Sequence, residues 1–332
     1  MRRKFLKSMA ACAGACMFAA SARAEARTLR FANQNAKGHP IVLGMERLAQ
    51  LVAAKTSGRL KIAVTPGGQL GNDQACLAAL QGGSLEMASM NSGILAGVQP
   101  EFAVFDLPFM INSIAEADAV LNGTTAAALH SKLAGSGLVG LGYFELGFRD
   151  ISNSKRPIIK AEDLEGLKLR VIPNPINTEW VAALGATAVP LPFNELPAAL
   201  SQKTVDGQEN PVATILAAKL YESQPHLALT HHQYNPQSVL VSGKVWETLS
   251  AEDRKAITEA VQESATFQRA KSREAASSAL ESLEKNGVQV TKPSADELAK
   301  LRNKVKPVIN KYGRSIHETV SLVQGEIAAL RK

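Results

Sequence analysis

The stretch that decides the fold runs from Pro40 to Gly68, PIVLGMERLAQLVAAKTSGRLKIAVTPGG. Its first half places Ile41, Met45, Leu48 and Val52 at i, i+4, i+7 and i+11, which is one face of an α-helix. Pro40 suits the first helical position, because an N–H there would have no partner within the helix. Thr56-Ser57-Gly58 ends the helix. Leu60, Ile62 and Val64 then alternate with Lys61 and Ala63, a strand stopped by Pro66-Gly67-Gly68. Upstream, Thr28–Ala32 supplies a strand before the helix. Downstream, Asn72 is placed to cap a helix that ends near Gly82-Gly83, and Leu85–Met90 is a third strand. Ser113-x-x-Glu116 is a capping box opening a further helix, and Leu138–Phe144 is again a strand. The order β-α-β-α-β with short turns predicts α/β layers and a largely parallel sheet.

A change of unit falls at Ser152–Pro157. Beyond it, Leu167, Leu169 and Val171 alternate with Lys168 and Arg170 as a strand, followed by a helix from Asn177 to Leu184. A short strand at Ala188–Pro190 and a helix from Asn194 to Gln202 come next. Ser250-x-x-Asp253 opens a helical stretch reaching about Lys285, where Asn286-Gly287 ends it. At 1.5 Å per residue such a helix is about 50 Å long. That exceeds one small domain, so it either spans two lobes or hides a break. Ser294-x-x-Glu297 caps another helix, and Gly313 to Leu330 is helical as well. A length of 332 residues fits two domains.

With 45% hydrophobic and 20% charged residues, the chain is excluded from the disordered, collagen-like and disulfide-stapled classes. The first 24 residues have the form of a signal peptide: a basic start (Arg2, Arg3, Lys4, Lys7), an apolar run from Met9 to Ala20, and Ala22-Arg23-Ala24 before the expected cleavage after Ala24. Arg2-Arg3 also fits a twin-arginine signal, so general secretory and twin-arginine export both stay open, with the periplasm as destination. Loss of five basic residues and no acidic one takes the 37 Lys and Arg to 32 against 30 Asp and Glu, net +2. The basic balance of the full chain therefore belongs to the leader, and no nucleic-acid partner is expected. Cys76 is the one cysteine left, most simply a buried small hydrophobe.

Motifs with catalytic spelling are weak. Gly135-x-Gly137-x-x-Gly140 follows a helix and precedes a strand, the reverse of a dinucleotide site, and reads as a helix-stop loop. Ser152-x-x-Lys155 lacks the companion patterns of the serine acylases. Adjacent His231 and His232 would point to opposite faces of a strand, one to the core and one to solvent. Two arginines carry more chemistry. Arg149 closes the strand-to-loop run Phe144–Arg149, and Arg170 ends its strand, where α/β sheets face their ligand crevice. A guanidinium there matches a carboxylate through two parallel hydrogen bonds. Spacing alone favours the plainer reading, since most such arginines are solvated or paired with Asp or Glu. The polar run Asp206–Pro211 reads as a turn with Asn210 capping the next helix.

At these residues the chain resembles the DctP-type solute-binding proteins of TRAP (tripartite ATP-independent periplasmic) transporters, over about Thr28 to Lys311. The matching stretches are Pro66–Gly71, Asp163–Arg170, Leu184-Gly185-Ala186 with Pro192-Phe193-Asn194-Glu195, and Val205-Asp206-Gly207-Gln208-Glu209-Asn210-Pro211. The resemblance implies an α/β, two-lobed periplasmic binding protein fold with hinge strands and a long helix spanning both lobes. On that pattern residues 25–148 with 236–275 form lobe I, and 149–235 with 276–332 form lobe II. It implies a receptor, not an enzyme, that captures a small carboxylate by hinge closure and delivers it to a small and a large membrane subunit. A sensor-linked binding protein would use the same cleft. By the family pattern Arg170 clamps the carboxylate, Arg149 assists, Asn210 hydrogen-bonds the same group and Phe193 packs on the ligand. Gln34, Asn91 and Tyr234 line the remainder, with His39 near the cleft. Asn91 stands where the sialic-acid branch carries an acid, which argues against that ligand. C4-dicarboxylates, sugar acids and other small organic acids stay open. A monomer with no cofactor, no metal and no catalytic residue is expected.

Overall fold

The computed structural model describes residues 26–330, so the expected signal segment lies outside the described residues. The Pro40–Gly68 reading holds at each joint: β1 (Arg27–Ala32), α1 (Pro40–Lys55) and β2 (Leu60–Thr65) form a parallel β-α-β unit. Ile41, Met45, Leu48 and Val52 are all buried. Asn72 caps α2 (Asp73–Gly82) by accepting the Ala75 N–H, and Gly83 closes that helix in the left-handed conformation. Then come β3 (Met87–Asn91), α3 (Ile114–Asn122), α4 (Thr124–Lys132), β4 (Leu138–Asn153), β5 (Lys168–Val171), α5 (Pro175–Ala183), β6 (Thr187–Pro190), α6 (Leu196–Ser201), β7 (Gly207–Asn210) and α7 (Val212–Ala217). The chain closes with β8 (His226–Ser242), α8 (Gly243–Glu247), α9 (Ala251–Lys285), β9 (Gln289–Thr291), α10 (Ala295–Ser315) and α11 (His317–Ala329). None of the described helices is long and apolar enough to cross a membrane.

The sheet order is β2-β1-β3-β8-β4-β7-β5-β6, with β9 beside β8. Both wings are parallel, but the centre is antiparallel: β3 with β8, β8 with β4, and β4 with β7. The expected largely parallel sheet is corrected at that centre, because two strands far longer than the β-α-β unit cross it in opposite directions. At about 3.3 Å per residue, the 16 residues of β4 extend about 50 Å. Arg149 therefore lies within a strand, not at its end, and Ser152–Asn153 continue the sheet. Three register shifts break the β4–β8 ladder, at Gly140/Gly142, Glu145/Gly147 and Arg149/Ile151. Such bulges bend a strand locally, and the last two fall where the two wings meet.

The long helix is unbroken over 35 residues, and the halves of α9 serve different cores. Ile257, Ala260 and Val261 pack with Leu29, Phe31 and Leu48 of the first wing. Ala279 and Leu283 pack with Leu196, Leu200 and Val205 of the second. This gives the two-lobed architecture its spine.

Other expectations shift. Asp206–Pro211 is not a turn: residues 207–210 are β7, buried between β4 and β5. Asn210 does not cap α7, which begins after Pro211 with no side-chain cap. The strand is short and polar, so hydrophobic patterning could not reveal it. At Gly207 a Cβ would come within 2.3 Å of Ser152 O, so the close β4–β7 approach requires glycine there. The helix expected from Gly313 to Leu330 is divided, since α10 runs through Gly313 and the chain leaves helical geometry at Ile316. Gly137 ends a short helical turn in the left-handed conformation, as a helix-stop loop should. Cys76 is buried. His232 is buried and His231 exposed, as strand alternation predicts.

Candidate functional site

Between the wings lies a small, largely closed chamber. Gln34, Asn35 and Asn91 come to it from the first lobe; Arg170, Ile172, Phe193, Asn210 and Thr214 come from the second. Leu146, Arg149 and Gln237 come from the two crossing strands.

Arg170 is held by β5, which is bonded on both sides to β6 and β7, so its backbone is fixed. The side chain is 1% exposed. Its Nε donates to Leu191 O at 2.8 Å, while one terminal nitrogen is buried without a hydrogen-bond partner. The Phe193 ring lies 6.0 Å from the guanidinium carbon. Burial lowers its pKa to about 10, offset in part by the charges of Glu209 and Asp73, and the group stays cationic at neutral pH. No carboxylate forms a salt bridge with it among the described residues.

Arg149 differs. Its Nε and one terminal nitrogen donate to the Glu209 carboxylate, and the latter also reaches Glu209 O at 2.5 Å. His232 Nε2 stands 3.5 Å from the same carboxylate. Burial alone would raise the Glu209 pKa, but the Arg149 charge, the neighbouring His232 and the bonds from Arg149 outweigh it and hold it at about 2. The other terminal nitrogen of Arg149 is buried without a partner. Gln237 repeats the pattern: its carbonyl accepts from Asn33 Nδ2 and Ser89 Oγ, and its Nε2 is left unpartnered. Three buried N–H groups with nothing to donate to thus belong to side chains lining one chamber. Buried donors of this kind are costly unless an acceptor meets them, and the surplus charge of Arg170 makes that acceptor an anion.

Six of the eight residues expected at the site line the chamber: Arg170, Arg149, Asn210, Phe193, Asn91 and Gln34. Asn210 Nδ2 donates to Gln208 Oε1 at 2.5 Å. Asn91 Nδ2 donates to Asn235 Oδ1 at 3.2 Å. Gln34 Nε2 donates to Asp73 Oδ2 at 3.2 Å, so its carbonyl is free for the chamber. Tyr234 does not line it. Strand alternation turns Tyr234 away from Gln233, Asn235 and Gln237, and its hydroxyl donates to Glu145 Oε2 at 2.9 Å. His39 stands behind the wall, with Nε2 3.2 Å from Thr214 Oγ1. Sequence reasoning missed Gln237, Thr214 and the ion-pair role of Glu209. Glu209 lies in a polar run whose composition suggests a turn, and Gln237 lies in a long strand with no clean alternation. Larger grooves exist, such as the one lined by Gln74, Ile94, Pro175 and Tyr312, but they hold no unpaired buried charge.

Residues 31–315 match the family described as DctP, bacterial extracellular solute-binding protein, family 7. The chain is 33% identical over 278 residues to the 2,3-diketo-L-gulonate-binding periplasmic protein YiaO of Escherichia coli K12, covering 84% of each. It is similar to the sugar acid binding protein DctPAm of Advenella mimigardefordensis in complex with galactonate, with a TM-score of 0.89 and 39% identity over 91% of this chain and 97% of that one. A TRAP periplasmic solute binding protein of Polaromonas sp. JS666 bound to D-erythronate matches with a TM-score of 0.86 and 31% identity, covering 90% of this chain and 98% of that one.

Proposed function

The chain belongs to bacterial extracellular solute-binding protein family 7, and from that premise we propose that it captures a polyhydroxylated monocarboxylic acid, of aldonate or uronate type. The observation that carries this reading is the unpaired, buried Arg170 beside the partnerless nitrogens of Arg149 and Gln237. One carboxylate placed among them would satisfy donors that otherwise go unmet. Charged hydrogen bonds contribute about 1.5–3 kcal/mol each, against about 8.2 kcal/mol for a micromolar solute. The rest of the wall offers neutral groups, namely Gln34, Asn35, Asn91, Asn210 and Thr214, with the Phe193 ring. Amides and a hydroxyl suit ligand hydroxyls. A second carboxylate would find no further cation there, since the Arg149 charge is already balanced by Glu209.

A receptor is favoured over a hydrolase by the state of His39. Thr214 carries the one hydroxyl on the chamber wall. The imidazole beside it accepts the Ile41 N–H at Nδ1, so Nε2 carries the ring proton and cannot serve as a base. The receptor works in the periplasm after cleavage following Ala24, as a monomer, and its closed form docks on the small and large membrane subunits of a TRAP transporter. The lobes are 25–148 with 236–275 and 149–235 with 276–332.

Thermal unfolding with galactonate, erythronate, glucuronate, galactose and succinate tests the substrate class. A ligand at 100 times its Kd stabilises by about 2.7 kcal/mol. At least one sugar acid should raise Tm, and galactose, which lacks the carboxylate, should not. A shift with succinate and none with any sugar acid would replace the proposal with a dicarboxylate receptor.

A further inference from the structure

His39 reaches across the cleft. It precedes α1 in the first lobe, and Thr214 lies on α7 in the second, 175 residues away. The ring is 3% exposed. Its Nδ1 accepts the Ile41 N–H at 3.2 Å and so caps α1, which fixes the ring proton on Nε2. Nε2 then donates to Thr214 Oγ1 at 3.2 Å. Burial lowers the ring pKa to about 3, so it stays a neutral donor through the neutral range. The bond joins two lobes; His39 does not line the chamber, whereas Thr214 does.

We propose that His39 is a positioning residue for ligand capture, whose bond to Thr214 biases the two lobes toward the closed form whichever acid is bound. The inference rests on the receptor reading above and adds a term that the ligand does not supply. When the lobes part, both polar groups pass to water, so the latch has the modest strength of a neutral hydrogen bond. That corresponds to about a threefold to tenfold change in the closed-to-open ratio. Apparent affinity scales with the population of the competent state. The latch therefore tightens every ligand by a common factor and leaves the preference among ligands unchanged. A ligand contact would do the reverse.

Two substitutions on opposite lobes isolate the bond. Thr214→Val keeps the shape and removes the acceptor, and because Thr214 also lines the chamber this variant is read by the ligand-free label distance alone. In His39→Asn the shorter side chain can still accept the Ile41 N–H, as asparagine does at helix starts, but cannot span to Thr214. Closure is followed by the distance between spin labels at Lys61→Cys and Gln202→Cys, both exposed positions on opposite lobes. Kd values for galactonate and glucuronate are measured alongside. Each variant should lower the ligand-free closed population by about threefold to tenfold, His39→Asn should raise both Kd values by that factor with their ratio held within twofold, and the double variant should lower the closed population no further than either single one. An unchanged closed population in either variant, or a shifted Kd ratio in His39→Asn, would overturn the latch. If neither acid binds the wild-type chain, the substrate proposal fails while the label distances still decide the latch.

Discussion

Arg170 and Arg149 are both buried arginines on central strands, yet they do different work. Arg149 is balanced by Glu209 and acts as a fixed wall with one nitrogen to spare. Arg170 has a carbonyl anchor and no acid, so the attraction for an anion is concentrated there. Its planar fork is aimed from a strand and loses little freedom on binding. Arg170→Lys should weaken galactonate binding about 10- to 100-fold, because an ammonium cannot form two parallel bonds. Calorimetry on a correctly folded variant checks this, and unreduced affinity would mean that the carboxylate lies elsewhere. Arg170 could be found in the sequence because it ends an alternating strand. Its freedom from acids could not, because Asp73 and Glu209 approach it from distant elements.

The elements meet through a splice at the register shift beside Glu145. Gln268 of α9 accepts the Glu145 N–H at 2.7 Å and donates to Glu145 O at 2.8 Å, standing in for a missing strand neighbour. Ser272, one turn on, also donates to that carbonyl. The fit is tight: a Cβ at Gly44 of α1 would lie 2.5 Å from Gln268 Cγ. Gln268→Ala would leave a buried backbone N–H unmet and should cost about 1–3 kcal/mol of stability, read as a lower midpoint in urea unfolding with galactonate absent. A midpoint equal to that of the wild type would show the splice to be dispensable. The 35-residue helix was legible from its caps, Ser250 and Asn286-Gly287. The partner strands β4 and β8 were legible only in part, because bulges and buried polar side chains interrupt their alternation.

Across the whole molecule, burial sets an unusual pH response. Asp73 and Asp106 are each pushed up to about 7 by burial, against the pull of the Asn91 N–H and Arg170 for the first and of Arg149 for the second. Unfolded, both would titrate near about 3.9. A raised folded pKa means that their contribution is fully present below about pH 4 and is lost as pH rises through about 7. Glu209 runs the other way: its contribution is present above its unfolded pKa of about 4.3 and lost as pH falls toward about 2. Tm should therefore decline between pH 4 and pH 7, by about 2–4 °C for each kcal/mol lost. Asp73→Asn, whose carbonyl can still accept from Gln34 and the Asn91 N–H, should flatten part of that slope. Scanning calorimetry across this range would refute the assignment if wild type and variant ran parallel.

The sequence alone determined the first β-α-β unit and the two ends of the long helix, because apolar periodicity, caps and turn residues act over a few neighbouring positions, while its matching stretches pointed to the family. Of the six expected residues that line the chamber, Arg149 and Arg170 stand out by their strand positions, and Phe193, Asn210, Asn91 and Gln34 follow from the family resemblance alone. Tertiary structure alone decided which arginine is balanced by an acid, that Tyr234 faces away, that Asn210 lies in a buried strand and that His39 meets Thr214. Those outcomes depend on electrostatics and hydrogen bonds between segments far apart in the chain, and local pattern carries no record of which distant partner arrives.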